Sequence, residues 1–275
     1  MDASPNRAEP RQLNSRGKRD HAEPHALYDH GTRPLAQQLH GGTMAKPKGY
    51  VLWEGPSKLD GSPIVVIATM NSSNTKTGNM IQTWILRSDI NPVQAVNDGS
   101  DYSICGNCPH RKNDQGQRSC YVNVGQAPNS VYKAYRQGKY PRFSYADHGN
   151  IFKGRSVRFG AYGDPALIPL WMVKVIIMLC DNHTGYTHQW RKYSEYAGVF
   201  MASCESELER CSAQILGFKT FTVIPQSSSG PRYAKQCPAT VANSVAKCST
   251  CKLCDGAKRD IFVHAHGSGA KYVSA

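Results

Sequence analysis

The sequence predicts an α/β fold, a partial or complete (β/α) barrel with a C-terminal cysteine-rich segment. Short β-rich and helical patterns alternate between residues 156 and 224, and polar residues follow the predicted strands. No G-x-G-x-x-G motif follows a strand, which argues against a Rossmann sheet. We expect a disordered extension over residues 1–43, a barrel-like domain over 44–225 and the cysteine-rich segment over 226–275.

The first 43 residues contain four histidines and four prolines but no stretch with a helical or alternating apolar period. This composition predicts disorder. Met44 is followed by Ala-Lys-Pro-Lys and then by the first apolar run, so we expect translation to begin naturally at Met44. A genuine flexible basic arm is the alternative.

The segment from residue 63 onward contains the regular elements. Residues 63–70 and 80–86 are β-rich and flank a turn-rich loop, which predicts a hairpin. The later predicted elements are a strand at 156–160, a helix at 166–180, strands at 185–189 and 198–203, a helix at 205–216 and a strand at 219–224. Strands and helices in alternation imply a parallel sheet.

Three polar segments follow predicted strands, at residues 162–165, 187–189 and 203–205. The carboxyl ends of parallel strands meet at one edge of a sheet or barrel, where α/β folds bind their ligands. We therefore expect Asp164 and His188 to contact substrate or transfer protons. The alternative is ordinary hydrogen bonding that ties loops to the barrel rim.

Net charge, apolar stretches and cysteine content indicate which partners and which cellular location to expect. The net charge of +13 at pH 7 favours anionic partners such as nucleotides or nucleic acid. The longest strongly apolar stretch, residues 167–180, contains Lys174 and is shorter than the roughly 20 residues that a membrane span needs. No apolar secretory core is present near the N-terminus, so we expect a cytoplasmic protein whose ten cysteines bind metal before they form disulfides.

The C-terminal cysteine group has the spacing C-x10-C-x2-C-x2-C and consists of Cys237, Cys248, Cys251 and Cys254. A C-x2-C-x2-C run brings three thiolates to one small volume, and a distant fourth cysteine completes the ligation of a 4Fe-4S cluster. A zinc site with four cysteines is the alternative, although such sites more often use two separated C-x2-C pairs.

The first cysteine group consists of Cys105, Cys108 and Cys120. Three thiolates on a 4Fe-4S cluster leave one iron open to a small ligand, which makes a cluster chemically active. His110 is the alternative fourth ligand, and it would complete a structural zinc site. For Cys180, Cys204 and Cys211 we expect packed thiols outside the ligand sets.

The motifs around the first group resemble those of phage and plasmid-borne iron-sulfur proteins related to the radical-SAM superfamily. The resemblance covers roughly residues 50–267, and it is carried by Ser103-Ile-Cys105-Gly-Asn-Cys108-Pro-His, Ser119-Cys120-Tyr121, Val157-Arg-Phe-Gly160-Ala-Tyr-Gly163-Asp164-Pro165 and Met201-Ala-Ser203. The cysteine spacing is C-x2-C-x11-C, where the superfamily has C-x3-C-x2-C.

The resemblance implies that Cys105, Cys108 and Cys120 hold the active cluster in a barrel that binds S-adenosylmethionine. Gly163 and Asp164 would occupy the family's glycine-rich turn near the methionine amino group, and the C-terminal cysteines would hold an auxiliary cluster. It also implies an oxidoreductase, or an enzyme that modifies a nucleotide or nucleic acid, with an electron donor such as a flavodoxin or ferredoxin. If the chain is phage-encoded, it would act in the host cytoplasm.

Two further functions compete with this one. Basic and aromatic residues interleave over residues 131–143, as stacking and phosphate contacts in a nucleic-acid-binding protein with structural metal sites would require. A half-buried amphipathic helix over 129–137 explains the same pattern. His264 and His266 would lie on one face of a strand, as in rolling-circle nucleases, with solvated strand-end histidines as the alternative.

Overall fold

The structure is a computed structural model that describes residues 46–273. The expected disordered extension over 1–43 lies outside the described residues. The strands are β1 (Gly49–Pro56), β2 (Pro63–Thr69), β3 (Ile81–Arg87), β4 (Ser156–Tyr162), β5 (Asn182–Thr184), β6 (Tyr186–Thr187), β7 (Met201–Cys204), β8 (Thr220–Ile224), β9 (Lys235–Gln236) and β10 (Ile261–His264). The α-helices are α1 (Pro92–Asp98), α2 (Tyr102–Cys105), α3 (Ala127–Arg136), α4 (Tyr145–His148), α5 (Leu170–Leu179), α6 (Glu207–Ile215) and α7 (Cys248–Cys251).

The first sheet has the order β1-β2-β3-β4-β5 and mixes two kinds of pairing. The pairs β1–β2 and β2–β3 are antiparallel, which confirms the expected hairpin. The pairs β3–β4 and β4–β5 are parallel. The indole of Trp84 donates a hydrogen bond of 3.0 Å to the Thr69 hydroxyl and links β2 to β3 beyond their backbone ladder.

The second sheet is parallel throughout, with the order β6-β7-β8-β10-β9. The fold is therefore mixed α/β, as the alternation of elements predicts. β5 and β6 are separated only by Gly185, so the two sheets meet at this residue. A side chain there would place its Cβ 2.4 Å from the Phe200 ring, which only glycine avoids.

Two helices begin later than their sequence patterns predict. The segment expected to be helical from residue 166 starts as a short 3-10 turn, Pro165–Leu167, and the α-helix begins only after Pro169. Ile168 is extended, as the residue before a proline usually is. Helix α6 begins at Glu207, because the Ser206 side chain caps it by accepting the Glu209 amide.

The main hydrophobic core is built around β2, β3 and β4. Residues 64–68 are almost fully buried, and Ile85, Phe159 and Val173 of α5 join them in one cluster. A second, smaller cluster contains Met201 and Ile261 of the parallel sheet. In the described part of the chain, no helix combines the length and the apolar character that crossing a bilayer requires.

Candidate functional site

One cavity of about 250 Å³ collects nearly every residue that the sequence singles out. Alternate residues of the parallel strands line it, because successive side chains of a strand point to opposite faces. Those alternate residues are Arg158, Gly160 and Tyr162 on β4, Thr184 and Tyr186 around Gly185, His188 after β6, Ser203 and Glu205 at the end of β7, Phe221 and Val223 on β8, and Val263 and Ala265 at β10. The three polar segments expected at one edge of the sheet therefore do share a site.

Cys105 enters this cavity from the end of α2 and is held from both sides. Its backbone amide donates to the Asp101 carbonyl at 2.9 Å, and its carbonyl accepts the Gln189 side-chain amide at 3.1 Å. Gly106 adopts a positive φ of 58°, and a Cβ there would lie 2.3 Å from the Gln189 side chain. Burial, followed by the nearby Cys108, raises the pKa of the Cys105 thiol well above its usual range.

The loop from Gly106 to Cys120 returns the other two cysteines of the first group to the same wall. The Cys120 amide donates to the His110 carbonyl at 3.0 Å, which closes the loop. The Arg118 guanidinium donates to the carbonyls of Cys120, at 3.2 Å, and Val122, at 2.7 Å. The structure thus brings Cys105, Cys108 and Cys120 together on the cavity.

The C-terminal cysteine group approaches the cavity from the second sheet. Cys237 and Cys248 line it, while Cys251 at the end of α7 is half-buried and Cys254 is buried. Their thiols lie near enough for the charges of Cys237, Cys248 and Cys251 to raise the pKa of Cys254, although burial contributes most of its shift to about 12. Lys252 adopts the left-handed conformation, with φ of 57°, and turns the chain between Cys251 and Cys254.

The backbone of the C-terminal group is tied to distant segments. The Cys248 amide donates to the Lys76 carbonyl at 2.9 Å, and the Cys237 amide donates to the Phe262 carbonyl at 2.9 Å. The first tie joins the C-terminal segment to the loop between β2 and β3, and the second fixes it beside β10. All seven predicted cysteine ligands therefore gather around one cavity, with five of them on its wall.

Gly163 and Asp164 form the turn that supports Cys105. The Asp164 amide donates to the Ile104 carbonyl at 2.7 Å, one residue before Cys105. The Asp164 carboxylate is buried and accepts the Thr187 hydroxyl at 2.7 Å, the His188 amide at 2.8 Å and the Ala166 amide at 3.0 Å. Burial raises its pKa, and these hydrogen bonds only partly offset that effect. These bonds tie the turn to the segment that carries His188, as the alternative of a loop-tying carboxylate predicts.

His188 faces Glu205 and Cys108 instead of solvent. Its Nε2 lies 2.9 Å from Glu205 Oε1 and 3.8 Å from Cys108 Sγ. Burial opposes protonation of His188, but the neighbouring Cys108 and Glu205 outweigh it and raise the pKa. Burial likewise acts to raise the pKa of Glu205, but His110 and His188 lower it far below its usual range. Glu205 therefore lies next to both histidines, which its place in a predicted polar segment does not reveal.

Arg158 is a residue of the candidate site that the sequence patterns miss. It lies in the buried strand β4, lines the cavity and donates a hydrogen bond to the Tyr121 hydroxyl. No carboxylate of the described residues pairs with it. The only signal in the sequence is an arginine inside an otherwise apolar strand, which is unusual because buried charges need a partner.

The remaining cysteines lie apart from these groups. Cys204 is buried, and burial raises the pKa of its thiol to about 12, as expected of a packed cysteine. Cys180 is half-buried at the end of α5. Cys211 is exposed, so the expectation of a packed thiol is wrong at this position. The residue lies on the outer face of α6.

The interleaved basic and aromatic segment uses its rings for packing. It forms helix α3, as the amphipathic alternative predicts, with Val131 and Tyr132 buried. The Tyr135 hydroxyl donates to Glu54 at 2.5 Å, and Phe143 packs against Phe152 with ring centroids 5.5 Å apart. These rings are engaged within the protein, so the segment adds no support for nucleic-acid binding.

The two histidines near the C-terminus do not form a matched pair on a strand. β10 ends at His264, whose Nδ1 lies 3.2 Å from the Pro225 carbonyl. His266 lies beyond the strand, is exposed and packs its ring 5.5 Å from that of Tyr121. The strand-end alternative describes them better than a nuclease site does.

Comparisons of this chain with protein-family models, with curated proteins and with solved structures find no match.

Proposed function

We propose that this chain is an iron-sulfur enzyme in which Cys105, Cys108 and Cys120 hold one 4Fe-4S cluster and Cys237, Cys248, Cys251 and Cys254 hold a second. One observation carries the proposal. Two cysteine groups more than a hundred residues apart along the chain line a single cavity of about 250 Å³. Two unrelated structural metal sites would have no reason to share one cavity.

The spacing of the thiols favours a cluster over zinc. Tetrahedral zinc–thiolate bonds of about 2.3 Å hold sulfur atoms about 3.8 Å apart. Among the described residues, no three cysteine sulfurs lie mutually within 4.8 Å. Each group nevertheless stays close enough for its members to raise one another's thiol pKa. A polynuclear cluster, which fills the space between its ligands, suits this wider arrangement.

A cluster with three protein thiolates supplies an open iron that can bind and reduce a small ligand. The residues of the chain then have separate tasks. Arg158, which has no carboxylate partner among the described residues, binds an anionic group of the substrate. Asp164 holds the His188 loop, and Tyr162 closes the wall beside Cys105.

The substrate class that fits this cavity is a small molecule or nucleotide with a negative charge. Cys237, Cys248, Cys251 and Cys254 would hold the second cluster, which would supply electron transfer from a donor such as a flavodoxin or ferredoxin. Residues of β4, β6, β7, β8 and β10, from both sheets, line this one cavity, and that arrangement supports a partial barrel.

The decisive experiment is purification without oxygen, followed by measurement of iron, acid-labile sulfide and zinc per chain. We expect about eight iron and eight sulfide atoms, since each cubane contains four of each. Replacing Cys105, Cys108 and Cys120 together by alanine should remove half of both, and so should replacing Cys248, Cys251 and Cys254. Cys211→Ser is the matched control, because that thiol is exposed and lies outside both groups. Zinc without iron would overturn the proposal and favour a structural metal-binding module.

A second measurement tests the ligand of the open iron. Dithionite-reduced protein is incubated with S-adenosylmethionine, and cleavage of the sulfonium is followed by chromatography. Cleavage that is lost in the variant without Cys105, Cys108 and Cys120 would support the radical-SAM relationship. Intact clusters without cleavage would overturn that relationship and leave an iron-sulfur enzyme with another ligand.

A further inference from the structure

Three potential metal ligands from three separate segments meet beside the first cysteine group. His110 lies in the loop after Cys108, His188 follows β6, and Glu205 follows β7. The Nε2 atoms of His110 and His188 lie 3.3 Å and 2.9 Å from Glu205 Oε1, and all three ligand atoms lie within 4.8 Å of one another. No other cluster of ligand atoms in the described residues is so tight.

The imidazole of His110 is held in the orientation that a metal ligand needs. Its Nδ1 lies 2.8 Å from the Ser119 hydroxyl, so Nε2 points at the group. That Nε2 is buried and, although it is 3.3 Å from Glu205, it lacks the geometry of a hydrogen bond. Metal-bound histidines characteristically have their second nitrogen fixed in this way while the first faces the ion.

The other two ligands are also fixed through their backbones. The His188 amide donates to Asp164 at 2.8 Å, and the Glu205 amide donates to the Glu209 side chain at 2.8 Å. Both segments are therefore placed before any ion arrives. Preorganised donors lose less conformational entropy when a metal ion binds, which favours tight binding of the ion.

We propose that His110, His188 and Glu205 bind one divalent transition-metal ion. Two imidazoles and one carboxylate form the donor set of many catalytic zinc sites and of mononuclear iron(II) sites, which keep coordination positions open for water or substrate. All three residues line the cavity, so the open positions face its interior. The ion would act as a Lewis acid on a substrate oxygen, beside the Cys108 sulfur.

This site uses none of the seven cysteines proposed as cluster ligands, so the two proposals can be tested independently. A hydrogen-bonded group without an ion is the competing explanation, because Glu205 already accepts a bond from His188. The two explanations differ in one measurable property, the number of metal ions bound beyond those of the cysteines.

The test uses the full-length protein with its iron and sulfide content measured first. The protein is dialysed against a mild chelator and then titrated with Zn²⁺, and bound zinc is counted by mass spectrometry. Wild-type protein should bind one ion more than His188→Ala, and Glu205→Gln should weaken binding of that ion by more than about 100-fold, beyond the effect of losing an outer partner. Ser119→Ala, which removes only the orienting bond, should weaken it by about 10-fold.

His266→Ala is the matched control, because His266 lines the same cavity but lies outside the group. It should leave the count unchanged. A titration with Co²⁺ adds a spectroscopic test, since visible d–d bands should disappear in Glu205→Gln, whose side chain keeps the size of glutamate. Equal metal counts in wild type, His188→Ala and Glu205→Gln would overturn the proposal. Wild-type protein that contains no iron or sulfide but still binds the additional zinc ion would instead overturn only the iron-sulfur assignment.

Discussion

The carboxylate of Asp164 accepts a hydrogen bond of 2.8 Å from the backbone amide of His188, and its own amide donates to the Ile104 carbonyl at 2.7 Å. This single residue therefore connects the segment that carries Cys105 to the segment that carries His188. The two segments are far apart in the sequence, and this buried contact joins them together with the bond from the Gln189 side chain to the Cys105 carbonyl.

Asp164→Asn should destabilise the protein by about 1–3 kcal/mol, because an amide NH₂ group cannot accept a hydrogen bond and leaves a buried donor unsatisfied. Urea unfolding measures the loss, and amide hydrogen exchange at His188 should speed up in the variant. Asp114→Asn, at an exposed position, is the control. Unchanged exchange at His188 would show that the carboxylate does not hold that loop.

Gly163→Ala should be more destabilising than Gly61→Ala. Both glycines have a positive φ, 79° and 76°, so both substitutions incur the cost of about 1–2 kcal/mol for a left-handed residue. A Cβ at Gly163 would also lie 2.6 Å from the Ile85 carbonyl oxygen, whereas nothing lies within 4 Å of one at Gly61. Equal urea midpoints for the two variants would show that Ile85 moves aside without cost.

Tyr135→Phe should change the pH dependence of stability at alkaline pH. Burial, aided by the bond to Glu54, raises the pKa of Tyr135 from its ordinary 10.0 to about 12 in the folded protein. The folded state then holds a proton that the unfolded state releases, so this stabilisation is complete below pH 10.0 and is lost as the pH rises toward 12.

Urea unfolding of wild type and Tyr135→Phe at several pH values measures this effect. The difference in unfolding free energy between them should be constant below pH 10.0 and shrink above it. Tyr272→Phe is the control for removal of a phenol hydroxyl at an exposed position. A constant difference up to pH 12 would contradict the assignment of the shift to Tyr135.

Arg158→Gln should lower the reduction potential of the proposed C-terminal cluster. The guanidinium lies near Cys248, so its positive charge favours the reduced, more negative state of a cluster held there. The Coulomb interaction between a guanidinium and a neighbouring cluster predicts a shift of the reduction potential on the order of tens of millivolts. Arg158→Lys keeps the charge and is the control, and a potentiometric titration followed by EPR measures both variants. An equal shift in the two would mean that packing, not charge, sets the potential.

Some of this molecule follows from its sequence alone. The β-rich runs predict the β2–β3 hairpin and strand β4, because strands of a sheet that is covered on both faces bury most of their side chains. The spacing of Cys248, Cys251 and Cys254 predicts that their thiols gather, since short loops cannot separate them. Helix starts were less predictable, because Pro169 and the Ser206 cap decide them locally.

The rest was decided by tertiary structure. Gly185 divides one extended segment into β5 and β6, and this break joins a mixed sheet to a parallel one. The order of strands then brings Glu205 to His110 and His188, and Arg158 to the cavity between the two cysteine groups. Local propensity sets the type of each element, but strand order and register determine which distant side chains meet. The sequence by itself therefore determined several of the strands and helices and the candidate cysteine ligands, and only the fold determined that these cysteines gather around one cavity.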